Sequence, residues 1–356
     1  MSDTTAQEIP PQFPVTILTG FLGAGKTTLL RGLLDKPEMA NTAVVINEFG
    51  EVGLDHMLVE SADEDMIVMD SGCLCCTIRG DMIETLRRLI KQRYKGEIPA
   101  FDRLMIETTG LADPAPILHT LMTDPVLSNR YRLDGVLVCV DAVNGMGQLD
   151  GQPESVKQVA VADRILLTKT DLADQASVSA LTTRLRENNP AAPVLTVLNG
   201  EADPADLFGL GLFDPEKKVP DVARWLREEA FAEDHPHDHD HAHDHHGQHH
   251  HDVNRHGDNI KAFCLIHEGE IEWDKFADWI ESLIAVHGND LLRIKGILDV
   301  KEAPGPVVIH GVQHVFHPPT ALEAWPDDDH RSRIVMITRG ISREPVQEMF
   351  EKFLAT

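Results

Sequence analysis

Residues 20–27 have the types and spacing needed to hold the phosphates of a nucleotide. They read GFLGAGKT, which matches the pattern G-x-x-x-x-G-K-[ST] between a β-branched run and a helical pattern. Glycines allow backbone N–H groups to face phosphate oxygens, and the helix that follows presents its positive end to them. Lys26 adds a charge at the β- and γ-phosphates, and Thr27 offers a hydroxyl to Mg²⁺. A glycine-rich turn that merely joins strand to helix is the weaker alternative.

Residues 104–110 add a carboxylate and a glycine to this phosphate site. An apolar run ends in Glu107, and Gly110 follows three residues later. Glu107 is the expected carboxylate on the Mg²⁺ side, and Gly110 is where the backbone is expected to approach the γ-phosphate. We therefore assign catalytic roles to Lys26, Thr27 and Glu107. The residues expected to bind the nucleotide are Gly23, Ala24, Gly25, Lys26, Thr27, Thr28, Gly110, Lys169 and Asp171.

The base is predicted to be guanine from residues 168–171, which read TKTD. This run is similar to the Asn-Lys-x-Asp guanine signature, with Thr168 in place of Asn. Asp171 would accept two hydrogen bonds from the guanine edge, and the stem of Lys169 would cover the ring. A site built to pair with a polar edge penalises a base that lacks those donors. ATP, or relaxed specificity, is the alternative, and competition of ATP and GTP against a fluorescent GTP analogue tests it.

The rate of GTP hydrolysis is predicted to be slow. Many GTPases keep a glutamine after the glycine of the γ-phosphate loop to orient the attacking water, whereas Leu111 and Ala112 follow Gly110 here. A metal, a partner protein or a homodimer is expected to raise the turnover.

Three of the five cysteines, Cys73, Cys75 and Cys76, are crowded too tightly for a disulfide framework. Thiolates prefer Zn²⁺, Cu⁺ or iron–sulfur groups over Mg²⁺, so this cluster predicts a second metal site. No further cysteine pair is close in sequence, and Glu48 is a candidate for an additional, exchangeable ligand. Redox chemistry is the alternative. Cys139 and Cys264 lie in apolar runs, which are typical of core packing.

A segment from His235 to His256 contains more than half of the nineteen histidines, interleaved with aspartate. It cannot form a core, so we interpret it as a disordered linker. Imidazole binds Zn²⁺, Co²⁺ and Ni²⁺, which favours a metal reservoir over a merely solvated linker. His310, His314 and His317 are assigned no role.

Apolar β-branched runs predict the strands that would position these sites. They occur at residues 15–19, 43–47, 66–69, 104–106, 136–140, 165–168 and 194–197, and helical patterns follow several of them, at 27–34, 81–94 and 174–187. This alternation indicates a parallel sheet covered by helices on both faces. Ligands of such sheets collect at the carboxyl ends of the strands, so the nucleotide and cysteine loops should share one edge.

The rest of the chain completes a two-domain map. After the linker, strands are expected at residues 260–267, 291–300, 306–316 and 333–338, with helices at 273–284 and 342–354. The map is an N-terminal tail at 1–11, a P-loop GTPase domain of α/β class with a mostly parallel sheet at 12–232, a linker at 233–258, and a small C-terminal α+β domain at 259–356.

The charge and the absence of long apolar runs argue against several classes of function. The formal net charge of −26 disfavours binding to nucleic acid or anionic lipid. No apolar run reaches the roughly 20 residues of a spanning helix, and the N-terminal residues do not resemble a secretory signal, so we expect a cytoplasmic protein that does not enter a membrane.

The chain resembles the CobW-type metallochaperone GTPases. The shared motifs are GFLGAGKTT at Gly20, NEFGEVGLD at Asn47, GCLCC at Gly72, ETTGLADP at Glu107, TKTD at Thr168 and LLRIKGIL at Leu291, together with the histidine-rich linker. The resemblance implies GTP and Mg²⁺ as cofactors and a carried metal, Zn²⁺ or Co²⁺, held by Cys73, Cys75, Cys76 and Glu48 and delivered to a client metalloprotein. The connection between Asp55 and Cys73 is shorter than the resemblance implies for members dedicated to the cobalamin pathway, so the resemblance favours zinc. A passive metal buffer with an idle nucleotide fold and a small-molecule kinase are the competing functions.

Overall fold

The computed structural model describes residues 12–47, 67–70, 78–209 and 260–355. The predicted metal residues Glu48, Cys73, Cys75 and Cys76 lie outside the described residues. So do the N-terminal tail and the histidine-rich linker.

The first domain is built on a parallel sheet. Its strands in the order β3-β2-β4-β1-β5-β6-β7 pair in parallel throughout the described part of the chain, which confirms the predicted α/β class. The strands are β1 (Phe13–Gly20), β2 (Thr42–Asn47), β3 (Ile67–Asp70), β4 (Arg103–Thr108), β5 (Tyr131–Asp141), β6 (Arg164–Thr168) and β7 (Val194–Val197).

Helices cover both faces of this sheet. On one face α1 buries Leu29, Leu30 and Leu33 against the strands, in a cluster that also contains Cys139. On the other face lie leucines of α2, α3 and α6, such as Leu86, Leu118 and Leu185. The helices of the first domain are α1 (Lys26–Leu34), α2 (Ile78–Lys95), α3 (Ala115–Thr123), α4 (Gly145–Gly151), α5 (Pro153–Val161), α6 (Gln175–Asn188) and α7 (Pro204–Leu207), with a 3₁₀ turn at Pro37–Met39.

The second domain is an antiparallel sheet with two helices on one face, as the α+β prediction required. Phe276 and Trp279 of α8 and Phe350 of α9 pack over Ile294 and Met336 of the sheet. The elements are β8 (Ile260–His267), α8 (Trp273–His287), β9 (Leu291–Leu298), β10 (Val307–Val312), β11 (Val315–Phe316), β12 (Thr320–Ala321), β13 (Ser332–Arg339) and α9 (Arg343–Ala355).

Two predicted strands of this domain were wrong in detail. The strand predicted over residues 306–316 is a hairpin, since β10 pairs antiparallel with β11 and Gln313 between them has φ +54°. The strand predicted over 291–300 ends at Leu298, and Val300 forms only an isolated bridge with Ile271. Apolar residues on both sides of Gln313 and His314 concealed the position at which the backbone reverses.

The free face of the second sheet packs against the first domain. Ala160 of the first domain packs in one apolar cluster with Leu292 and Ile337 of the second. Ala191 of the first domain packs in another cluster with Ile297. At the centre of this contact, Asp163 accepts hydrogen bonds from Arg293 at 2.7 Å and Lys295 at 2.9 Å, with all three side chains buried. Burial alone would raise the pKa of Asp163, but the two cations hold it well below its ordinary value. The domains therefore share a buried ionic cluster.

Candidate nucleotide and metal site

The phosphate-binding loop lies between β1 and α1, as predicted. Gly25 caps α1 with φ +89°, a left-handed conformation that favours glycine. Lys26 is the first residue of the helix, and its ammonium group donates to the carbonyls of Gly20 at 2.9 Å and Phe21 at 3.3 Å. The lysine thus reaches back across the loop, where phosphate oxygens could take the place of these carbonyls.

Thr27 and Glu107 meet beside this loop although they are 80 residues apart in the sequence. The Thr27 hydroxyl donates to Oε1 of Glu107 at 2.9 Å, and Glu107 is buried at the end of β4. One hydroxyl and one carboxylate next to a phosphate loop form the kind of oxygen-rich setting that Mg²⁺ prefers. The residues predicted to hold this ion therefore fit it.

Gly110 touches the phosphate loop directly. A Cβ atom built at Gly110 would lie 2.5 Å from the backbone nitrogen of Leu22, so only glycine allows this approach. The strands behind the two loops are joined by a 2.7 Å hydrogen bond between Thr108 and Thr19. A movement of the phosphate loop would therefore displace the backbone at Gly110.

Thr168, the residue that departs from the guanine signature, binds the phosphate loop. Its buried hydroxyl lies 2.8 Å from the carbonyl oxygen of Ala24 and 3.2 Å from that of Val140. Its side chain also lies 3.6 Å from the position of a Cβ at Gly25. Thr168 thus joins the predicted base loop to the predicted phosphate loop, a role that sequence comparison with Asn alone did not indicate.

Lys169 is fixed by a carboxylate that the sequence did not single out. Its ammonium group lies 2.7 Å from Oδ2 of the buried Asp141, and its backbone has φ +55°. Burial tends to raise the pKa of Asp141, but hydrogen bonds from Lys169, from the Asn144 side chain and from two backbone amides lower it below its ordinary value. Asp171 is exposed two residues later, where a ligand could reach it.

The loop after β7 closes the other side of α1. A Cβ at Gly32 would lie 2.4 Å from the carbonyl oxygen of Gly200, and one at Gly200 would lie 2.4 Å from that of Thr28. Asn199, next to Gly200, has φ +52° and follows β7, which runs parallel to β6. Thr28 itself is exposed on α1.

The described strands that precede the predicted transition-metal residues in the sequence are β2 and β3. β2 ends at Asn47, one residue before Glu48, and β3 ends at Asp70, three residues before Cys73. Both strands run parallel to β4, so their carboxyl ends lie on the sheet edge that holds Glu107. Among the described residues, no group of three or more His, Cys, Asp or Glu side chains is arranged to hold a metal ion.

Comparison with known proteins matches this architecture. Residues 14–196 match the family described as "CobW/HypB/UreG, nucleotide-binding domain", and residues 260–354 match "Cobalamin synthesis protein cobW C-terminal domain". The chain belongs to this family. The two matched segments coincide with the parallel and antiparallel sheets.

Full-length relatives in the family are named as zinc chaperones. The zinc chaperone YjiA of Escherichia coli is 34% identical over 94% of this chain and 97% of its own length. The zinc chaperone CobW of Sinorhizobium sp. is 29% identical over 87% of this chain and 88% of its own. The crystal structure of Zn(II)-bound YjiA GTPase from E. coli aligns with a TM-score of 0.70 and 31% identity, covering 96% of this chain and 99% of that one.

None of the helices in the described part of the chain is long and apolar enough to cross a membrane.

Proposed function

We propose that this chain is a GTP-dependent metallochaperone that binds Zn²⁺ through Cys73, Cys75 and Cys76, hydrolyses GTP and delivers the metal to a client protein. The observation that carries the proposal is the contact of Thr27 with Glu107 beside the phosphate loop. It provides oxygen ligands for Mg²⁺ on the edge from which the chain continues toward Glu48 and Cys73. Family membership and the zinc-chaperone names of two full-length relatives support it.

The residues predicted to form the nucleotide site have separate roles in this proposal. Gly23, Ala24, Gly25 and Thr28 would surround the phosphates, Lys26 would neutralise their charge, and Asp171 with Lys169 would bind guanine. Thr27 and Glu107 would hold Mg²⁺, which when bound polarises the phosphates and offsets the charge that develops on them. Leu111 is 54% exposed beside Gly110, and a leucine cannot orient a water molecule. A slow intrinsic rate follows.

The carried metal would be cargo rather than a resident cofactor. Three thiolates and a carboxylate suit Zn²⁺ and can also hold Co²⁺, and the zinc names of the relatives favour zinc. A site with an exchangeable ligand can release its ion, which a carrier needs. The histidine-rich segment would act as a local metal reservoir. The partner in this proposal is a client metalloprotein that receives the metal, and the chain would act as a homodimer.

The test is the Zn²⁺ affinity of the full chain with a non-hydrolysable GTP analogue, with GDP and without nucleotide, at fixed Mg²⁺. A carrier driven by GTP should show affinities that differ at least fivefold between the two nucleotides, because coupling between two sites is reciprocal. Equal affinities with measurable GTP turnover would refute the proposal. Equal affinities without turnover would support a passive metal buffer instead.

A matched pair of variants separates the two sites. Thr27→Ala should abolish the nucleotide dependence and leave the Zn²⁺ affinity of the nucleotide-free protein unchanged. Cys75→Ser should weaken Zn²⁺ binding at least tenfold and leave GTP affinity in the absence of zinc unchanged. If Cys75→Ser bound Zn²⁺ like the parent chain, the cysteine assignment would be wrong.

A further inference from the structure

Gln158 is a buried polar residue on α5 that forms hydrogen bonds with the loop after Glu107. Its side-chain amide donates to the carbonyl of Ala112 at 3.0 Å and to that of Gly110 at 3.3 Å, and it is 1% exposed. Gly110 in turn presses against Leu22 of the phosphate loop. The amide of Gln158 is therefore one residue removed from the nucleotide loop.

A second contact ties the same loop to the same helix. Lys157 of α5 forms a 3.1 Å ion pair with Asp113, whose other oxygen accepts from the backbone nitrogen of Ala115 at the start of α3. α3 then packs on the hairpin that β10 and β11 form in the second domain. There the ring centroids of His119 and His314 are 5.1 Å apart. The C-terminal end of the loop is thus linked to the second domain through α3.

The residues of α5 that directly follow Gln158 are embedded in the contact between the domains. Asn189 donates its side-chain amide to the carbonyls of Val159 at 2.7 Å and Ala162 at 3.0 Å, which fixes the last turn of the helix. Ala160 packs against the second sheet, and Asp163 follows directly with its buried partners Arg293 and Lys295. Gln158 and Ala160 are two residues apart, about 3 Å along the helix axis, so the contacts with the Gly110 loop and with the second domain lie on the same turn of α5.

We propose that Gln158 is a positioning residue of the GTPase site and that α5 transmits the nucleotide state from the Gly110 loop to the second domain. A γ-phosphate that draws the Gly110 backbone toward itself would pull on two carbonyls held by one glutamine. Because Asn189 holds the carbonyl of Val159, next to Gln158, and Asp163 binds the second sheet, a displacement at Gln158 would be passed on to the second domain over a short distance. This inference rests on the proposed function, and it names the route by which GTP would regulate the second domain.

The experiment compares Gln158→Met with the parent chain, and uses Gln148→Met as a control on the neighbouring helix α4. Methionine keeps the length and volume of the side chain and removes the amide donor. Steady-state GTP hydrolysis, GDP affinity and hydrogen exchange of residues 291–298 are measured on each full-length protein. Exchange is recorded with GDP and with a non-hydrolysable GTP analogue.

Gln158→Met should lower kcat about tenfold while KM for GTP and the affinity for GDP stay within threefold of the parent, because the phosphate loop itself is intact. The parent and Gln148→Met should show different exchange over residues 291–298 with the two nucleotides, and Gln158→Met should lose that difference. A variant with the parent's kcat and exchange would overturn the inference. So would equal losses of GTP and GDP affinity with a lower Tm, which would indicate a structural role only.

The exchange comparison requires nucleotide binding alone, so it is independent of zinc. If Zn²⁺ affinity does not respond to nucleotide but the exchange difference exists and depends on Gln158, the proposed function fails and this inference stands. If zinc coupling is present in the parent and persists in Gln158→Met with unchanged exchange, the inference fails and the proposed function stands.

Discussion

Replacement of Thr168 by valine tests whether the departure from the guanine signature is compensated by the fold. Valine keeps the shape of threonine and removes the hydroxyl that lies 2.8 Å from the Ala24 carbonyl and 3.2 Å from that of Val140. Thr168 is 6% exposed, so water cannot readily replace the lost donor. Leaving a buried acceptor without this donor costs about 1–3 kcal/mol.

That cost should divide between folding and nucleotide binding. The Ala24 carbonyl belongs to the loop that must hold its shape around the phosphates, so we expect about 1 to 2 kcal/mol of the loss to appear in binding, which corresponds to roughly 5- to 30-fold weaker GTP affinity. GDP should be weakened equally, because the α- and β-phosphates contact the same loop. The ratio of GTP to ATP affinity should be unchanged, because Asp171 is not touched.

The assay is competition of GTP, GDP and ATP against a fluorescent GTP analogue at fixed Mg²⁺, with urea denaturation of the same samples. Thr168→Ser is the matched control, since it keeps the hydroxyl and loses only a methyl group, and it should bind GTP within threefold of the parent. If Thr168→Val bound GTP as tightly as the parent while Thr168→Ser bound it more weakly, packing of the methyl group against Gly25 would be the important contact. The hydrogen-bond argument would then be refuted.

Three further predictions follow from other contacts. Glu107→Gln should lower Mg²⁺-dependent GTP hydrolysis at least tenfold and leave nucleotide affinity in EDTA unchanged, because the carboxylate that meets Thr27 is neutralised; full activity would exclude Glu107 from the magnesium site. Gly32→Ala should destabilise the protein by about 1–3 kcal/mol through its clash with Gly200, whereas Gly147→Ala, with nothing within 4 Å, should stabilise helix α4 by about 0.5–1 kcal/mol; urea denaturation that gave the same sign for both would contradict this. Burial lowers the pKa of His310 well below its ordinary value and that of His317 to about 3, so both are neutral in the fold and take up protons on unfolding below pH about 6.5. Stability should therefore be fully present above that pH and should fall by about 1.4 kcal/mol per pH unit for each histidine as the pH decreases, and His317→Asn should reduce the slope measured by urea denaturation between pH 5 and 7.5.

Most of the first domain could be predicted from sequence because its signals are local. A β-branched run fully buried on both sides is typical of a parallel strand, and each of the seven predicted runs overlaps an observed strand. The helix predicted over residues 174–187 begins at Gln175 because Asp174 caps it by accepting from the Ser177 backbone. Thr27 and Glu107 lie within hydrogen-bond distance because the parallel strands β1, which precedes Thr27, and β4, which contains Glu107, end on one edge of the sheet.

The remaining features depend on pairs of residues distant in sequence. Nothing near Gln158 reveals that its amide reaches a loop 46 residues away, and Asp141 looks like an ordinary strand end until Lys169 is placed beside it. A glutamine or aspartate among apolar residues of a helix or strand indicates a polar contact inside the protein, since buried polar groups are retained only with hydrogen-bond partners. The partners themselves can be known only from the fold.

The motif LLRIKGIL at Leu291 shows how the second domain is tied to the first. Alternate residues of β9 face opposite sides, so Ile294 and Leu298 pack beneath α8 and α9 while Arg293 and Lys295 reach Asp163. Two buried cations on one carboxylate carry a desolvation penalty that apolar side chains would avoid, so they are poor stabilisers but demanding about geometry. The observed docking of the sheet places both cations within hydrogen-bond distance of Asp163. A domain held in one orientation at the end of α5 must follow that helix, which is the condition for nucleotide in the first domain to act on the second.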